Sequence, residues 1–224
     1  MTEFTTTTRN RVRRVANRGS YDRETIYAIV DEARICHVGF VLDGQPFVIP
    51  SIHARRGDDI LLHGAKTSRL IKHAQKGNEI CIAVTHVDGL VLARSAFHHS
   101  MNYRSAVLFG RGRLVEDPAE KMEGLRAVVE QVMPGRWDDA RQPNEKELNA
   151  TSLVAIAIES ASAKIRQGGP LDDEEDYALP VWAGELPIRQ QILEPVDDPK
   201  LCDGISVPDY VRDYLARGAQ GDLK

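Results

Sequence analysis

The sequence predicts a mainly β fold, an antiparallel sheet with flanking helices, on three observations. Between residues 36 and 115 much of the chain runs in short apolar stretches rich in β-branched residues. Turn signals, Asp43-Gly44 and Arg56-Gly57-Asp58, separate the first of these at hairpin distance. A later stretch, Leu153 to Ile165, alternates as a half-buried strand does, while helical spacing is confined to a few short segments.

Residues 1–19 are polar and basic, with Arg9, Arg11, Arg13 and Arg14 and no apolar period, and read as a flexible arm. From Tyr21 onward Ile26, Ile29, Val30 and Ala33 recur at helical spacing, with Ser20 or Asp22 available as the cap. Strands are expected over 36–42, 46–53 and 59–63. Thr67 or Ser68 then caps a helix expected to reach Lys76, with Leu70, Ile71 and Ala74 inward and Gly77-Asn78 as its stop. Strands follow at 79–86, 90–97 and 103–115. Asp117-Pro118 opens a helix whose face is Met122, Leu125, Val128, Val129 and Val132, and Pro134-Gly135 ends it. A short helix near 144–149 precedes the last strand. The domain is thus expected over 20–167. Residues 168–224 turn acidic and proline-punctuated and read as an extension packing on it, with the run Asp172 to Asp176 as hydrated surface.

A chain of 224 residues suits one core, since a single core serves roughly 100 to 250 residues. No apolar run approaches the roughly 18 residues of a membrane span, and the N-terminus lacks the apolar core of a secretory signal. A cytoplasmic protein without membrane contact is therefore expected. Cys36, Cys81 and Cys202 show no paired spacing, which supports neither a disulfide framework nor a zinc knuckle. The net charge of −4 argues against nucleic-acid binding but leaves room for a local basic pocket.

One such pocket is legible at His63-Gly64-Ala65-Lys66-Thr67-Ser68-Arg69. A strand ends, small residues turn, and a helix begins among cations and hydroxyls, the pattern of an anion cradle. The same pattern also suits a capped surface helix. A second polar cluster, His98 to Ser105, sits where a loop enters a strand, so one shared site is expected. His63 is the candidate catalytic acid or base, its ordinary pKa of about 6.5 making either state accessible; the alternative is a structural histidine. Adjacent His98 and His99 point to opposite faces of a strand, so no metal site is expected. No GxSxG, GxGxxG or P-loop occurs.

The strand, His63-Gly64-Ala65, Ser68-Arg69 opening a helix, and later Asn102-Tyr103-Arg104-Ser105 entering a long strand together resemble the pyridoxamine 5'-phosphate oxidase-like, FMN-binding split β-barrels. Val48-Ile49-Pro50 and the His-Gly-Ala turn most resemble their nitroimidazole-resistance-type, flavin-nucleotide-binding branch. The resemblance spans about residues 20 to 167. It implies an antiparallel Greek-key barrel, a homodimer, and FMN at the subunit interface. It also implies that Lys66, Ser68 and Arg69 hold the phosphate, that Val48, Ile49, Pro50 and Ser51 face the pyrimidine edge, and that His63, Gly64 and Ala65 flank the ring. Asn102, Arg104 and Ser105 are implied to reach the site from the partner subunit. The function implied is an FMN-dependent oxidoreductase, with a nitroreductase-like form in view, acting on an unidentified small molecule. Alternatives are a flavin-sensing module without turnover, or a barrel that binds haem through His63, His98 or His99; FAD and deazaflavin F420 are the other cofactors in view. The basic and histidine residues by which true pyridoxamine-phosphate oxidases hold their substrate have no match in the tail, so vitamin B6 oxidation is not expected.

Overall fold

The computed structural model describes residues 2–220. A two-residue strand β1 (Gly19–Ser20) leads into helix α1 (Arg23–Glu32). Asp22 caps that helix by accepting from the Thr25 N–H at 2.8 Å, and Ile26, Ile29 and Val30 form its buried face. Strands β2 (Cys36–Leu42) and β3 (Gln45–Ser51) form a hairpin. Its turn residues Asp43 and Gly44 both have positive φ, 52° and 77°, as a two-residue hairpin of this hand requires. Strands β4 (Ala54–Arg56) and β5 (Asp59–Ala65) form the second hairpin.

Helix α2 (Arg69–Ala74) stops short of the expected end because β6 (Lys76–Leu92) begins almost at once. That strand is continuous where two were expected, and an irregularity between Val87 and Gly89 absorbs the break in pattern. β7 (Ser100–Leu114) follows, then α3 (Pro118–Val132), α4 (Arg136–Asp139), α5 (Glu145–Ala150) and β8 (Thr151–Arg166). Asp117 caps α3 with proline in its first turn, as the sequence indicates.

The sheet has the order β3-β2-β6-β7-β8-β5-β4, antiparallel at every step. Its two end strands, β3 and β4, are separated along the chain only by Ile52 and His53. The sheet must therefore curl until its edges meet. Val38 and Phe40 of β2 accordingly share one core with Ile60 and Leu62 of β5 and with α1. This is the expected split barrel. Each large apolar side chain in that core contributes about 1.5–3 kcal/mol of burial. The free edge of β3 is protected: Pro46 and Pro50 lie in phase with Val48, so Val48 alone of the three has an N–H to donate.

Helix α3 covers the outside of the barrel, where Val128 packs with Leu61, Val115, Leu153 and Ala155. Gly124 allows that approach, since a Cβ there would lie 2.2 Å from Leu153 Cδ2. Among the described residues no helix is long and apolar enough to cross a membrane.

Two expectations need correction. The arm expected over 1–19 is not loose where it is described: Phe4 is buried, Asn10 donates to the Ala161 carbonyl at 2.9 Å, and Arg9 pairs with Glu79. One apolar plug and one buried amide leave no periodic trace in sequence. The acidic run is not wholly hydrated either. The Asp172 side chain is enclosed and accepts from the Arg94 and Ser95 N–H groups at 3.0 and 3.1 Å, with the Arg94 guanidinium at 3.2 Å. Burial opposes its charge, yet these donors hold its carboxyl below the ordinary range. Beyond it, β9 (Gly184–Pro187) pairs with β6, and α6 (Asp209–Gln220) docks through Tyr214 and a Tyr210 hydroxyl that donates to Asp139 at 2.8 Å.

Candidate functional site

Strand β5 ends at Ala65 and the chain turns through Lys66, Thr67 and Ser68 into α2. The turn is tight: a Cβ on Gly64 would lie 3.1 Å from Ile71 Cγ1, and the Ser68 N–H closes on the Ala65 carbonyl at 2.9 Å. The Ser68 hydroxyl makes no cap bond, which leaves it free to donate. With six residues, α2 has little dipole to offer, so the side chains carry the electrostatics.

Neither Lys66 nor Arg69 has a carboxylate partner among the described residues. By contrast Arg9, Arg23, Arg55, Arg104, Arg111 and Arg113 on the same barrel are all paired. Arg69 instead lies over Phe47, 4.4 Å from the ring centroid, and Phe47 stacks on Phe40 at 5.5 Å. That stack brings the turn beside β3 and so joins two of the predicted groups. There Val48 is 68% exposed, Ile49 packs on the core, Pro50 is exposed, and the Ser51 hydroxyl donates to the Ile52 carbonyl.

His63 shares the strand phase of Leu61 and hence faces the α3 side. Its Nδ1 is buried and without a partner among the described residues, and burial lowers the pKa of the ring, which favours the neutral form. Sequence reasoning missed Lys121 on α3. Its ammonium donates to the Leu148 carbonyl at 2.6 Å, and burial, then the charge of Lys66, pushes its pKa down. No local pattern marks Lys121, because only the packing of α3 brings it toward Lys66. Unpaired cations, a free hydroxyl and an orphaned imidazole nitrogen together fit an anionic ligand with hydrogen-bonding edges.

The second cluster has a different fate. Asn102 donates to Glu185 at 2.6 Å and accepts from Arg166, which also donates to the Gly168 and Gly169 carbonyls. Arg104 is clasped by Glu32 and by Asp88 at 2.9 Å, and Ser105 donates to the Lys164 carbonyl at 3.2 Å. Gly64 stands opposite Ser152 on β8, whereas Arg104 stands opposite Ile165. At about 3.3 Å per residue that is roughly 40 Å along the strand. Within one chain the two clusters do not meet.

His98 Nε2 lies 3.3 Å from Asp173, and with Asp176 these residues bring possible ligand atoms within 4.8 Å of one another at the surface. His99 Nδ1 bonds the Ser95 carbonyl at 3.0 Å, leaving Nε2 open. Burial pushes the Cys36 thiol up to about 12, so it is no nucleophile.

A family model described as pyridoxamine 5'-phosphate oxidase matches residues 22–165. Among solved structures, flavocytochrome Anf3 from Azotobacter vinelandii is 42% identical, with a TM-score of 0.87 over 92% of this chain and 96% of that one. Such coverage takes in most of the chain beyond residue 165. The FAD and heme binding protein from Mycobacterium smegmatis is 35% identical, with a TM-score of 0.83 over 88% and 96%. A candidate 5-nitroimidazole antibiotic resistance protein from Bacteroides thetaiotaomicron, 23% identical with a TM-score of 0.56 over 66% and 86%, shares the fold alone. No curated protein matches the chain. The matched segment spans every strand from β2 to nearly the end of β8 together with the turn at 63–69, and on that ground the chain belongs to the pyridoxamine 5'-phosphate oxidase family.

Proposed function

We propose that the protein is a flavin-dependent oxidoreductase that acts as a homodimer, with the phosphate nearest the ribityl chain held at Lys66, Ser68 and Arg69. The observation that carries this reading is that the turn leaves two cations without carboxylate partners among the described residues, with Arg69 stacked on Phe47 and the Ser68 hydroxyl making no cap bond. FMN and FAD share that phosphate, so the cradle accepts either. When bound, a flavin supplies hydride and single-electron transfer to a small acceptor. Arg69 and Lys66 neutralise the anionic end, the Ser68 hydroxyl donates to it, and the Val48 N–H is the donor β3 offers to a pyrimidine edge. His63 is the candidate to hold or move a proton. Two such sites would form per dimer, and the compartment would be the cytoplasm.

A second component is favoured by the relatives that match over most of their length, a flavocytochrome and an FAD and heme binding protein. His99 suits haem ligation, since a ring oriented by a carbonyl at Nδ1 offers Nε2 to a metal. His63 and His98 are the other candidates.

An absorption spectrum of the protein as purified tests both readings, with chromatography of the extracted flavin to separate FMN from FAD. Flavin bands that NAD(P)H bleaches and a quinone restores are expected, with a Soret band if haem is present. Flavin that no donor reduces would leave a binding module in place of an enzyme, and an absence of flavin after reconstitution would sink the main reading.

A further inference from the structure

Every residue from 185 to 206 is exposed. The stretch is not polar: Ile192, Leu193, Val196, Leu201 and Ile205 are 39%, 72%, 95%, 42% and 59% exposed. Both of its ends are fixed. Strand β9 is paired with β6, and α6 is held at Asp139 and Arg136 by the Tyr210 hydroxyl, which donates to the first at 2.8 Å and accepts from the second at 2.9 Å. Between these anchors the Ile188 N–H reaches the Asp88 carbonyl, and the next backbone bonds are local turns at 198–201 and 202–205. The stretch is a strap that stands off its own barrel. Ordering each residue costs about 1–2 kcal/mol of backbone entropy, and Leu193 and Val196, 72% and 95% exposed, bury little against the described residues of their own chain.

We infer that residues 188–207 clasp a second copy of this chain, an inference that rests on the homodimer reading above. Three features point to that occupant. A standard interface takes about 800 Å² and roughly 20–30 residues from each partner, and the strap alone supplies nearly that number of residues. A two-fold assembly needs both halves of the contact on one molecule, and the barrel supplies the other half in Val41, Val48, Val87 and Met101, which are 59%, 68%, 44% and 52% exposed. Charge is complementary as well. The strap carries Glu194, Asp197, Asp198 and Asp203 against Arg189 and Lys200, while Arg11, Arg13 and Arg14 are exposed and have no carboxylate partner among the described residues. Strap and basic segment would pair reciprocally, each from a different copy.

The test introduces p-benzoylphenylalanine at Val196 in the full chain, purified with whatever cofactor it carries. Heavy-isotope-labelled and unlabelled protein are mixed, irradiated after subunit exchange, and the joined peptides read by mass spectrometry. Mixed-isotope pairs containing the strap peptide are expected. If light scattering reports a dimer while the strap cross-links only to its own chain or to nothing, the inference falls and the homodimer stands. A monomer would remove both. In a second arm, Leu193→Asp with Val196→Asp raises the dimer dissociation constant by about tenfold or more in analytical ultracentrifugation, with the fold intact by circular dichroism; an unchanged dimer would overturn the assignment.

Discussion

The turn at 63–69 and the segment at 98–105 carry the same kinds of side chain, and the fold treats them in opposite ways. In the segment, Arg104 lies between Glu32 and Asp88, Asn102 between Glu185 and Arg166, and Ser105 on a carbonyl, so each of these three side chains has its partner. In the turn, among the described residues, Lys66 and Arg69 face no carboxylate, the Ser68 hydroxyl caps nothing, and a buried nitrogen of His63 goes unpaired. A satisfied polar network rigidifies a fold, whereas an unsatisfied one invites a ligand. Residue type alone does not separate the two, and pairing does.

The largest effect expected from this contrast is on flavin affinity. Arg69→Ala removes a charge-assisted contact of about 2–3 kcal/mol and weakens flavin binding roughly 30- to 150-fold by fluorescence titration. Arg104→Ala, made on the other side of the comparison, leaves flavin affinity within about threefold but removes a network of about 2 kcal/mol, lowering Tm by about 4–8 °C. A variant of Arg104 that lost flavin as badly as Arg69→Ala, with stability unchanged, would break the distinction. It would also restore the segment as a cofactor contact supplied by a partner subunit.

Smaller effects sharpen the contrast. Lys66→Gln weakens flavin by about tenfold, and it lets the Lys121 ammonium titrate closer to its ordinary value, which NMR of the lysine side chains would detect. A Lys121 shift left untouched would mean that burial alone sets it. The smallest effect concerns pH. His53 is buried, with Nε2 3.0 Å from the Val30 carbonyl, and burial lowers its pKa as it does that of His63. The folded pKa values lie below the ordinary 6.5, so between the two the unfolded chain holds more protons. Stability rises with pH through that window and falls as the pH drops below about 6.5. His53→Gln keeps a donor for Val30 and cannot titrate, so urea denaturation from about pH 5 to pH 8 should show a flatter profile; an equal slope in both proteins would remove His53 from the account.

Much of the barrel is legible in the sequence because its causes are local. Asp43-Gly44 carries the left-handed pair that sets the first hairpin and Asp117-Pro118 opens α3, but the alternation expected from Leu153 is not the burial of β8, which is buried on both faces from Ser152 to Ile156, where α3 packs on Leu153 and Ala155. The small-residue, cationic turn is legible for the same reason, since His63 to Arg69 are contiguous. What alternation could not reveal is that β6 runs unbroken through its irregularity, or that Phe4 and Asn10 pin the basic N-terminal segment to the sheet.

By itself the sequence determined the antiparallel, mainly β class, the starts of α1, α2, α3 and α5, and the cationic make-up of the 63–69 turn, because each depends on residues within a few positions of one another. Only the tertiary structure decided which charges remain free. It placed Lys121 near Lys66, stacked Arg69 on Phe47, and enclosed Arg104 between acids from α1 and β6. Each of these is a long-range meeting of single side chains, and a solitary residue leaves no period or motif from which its distant partner can be read.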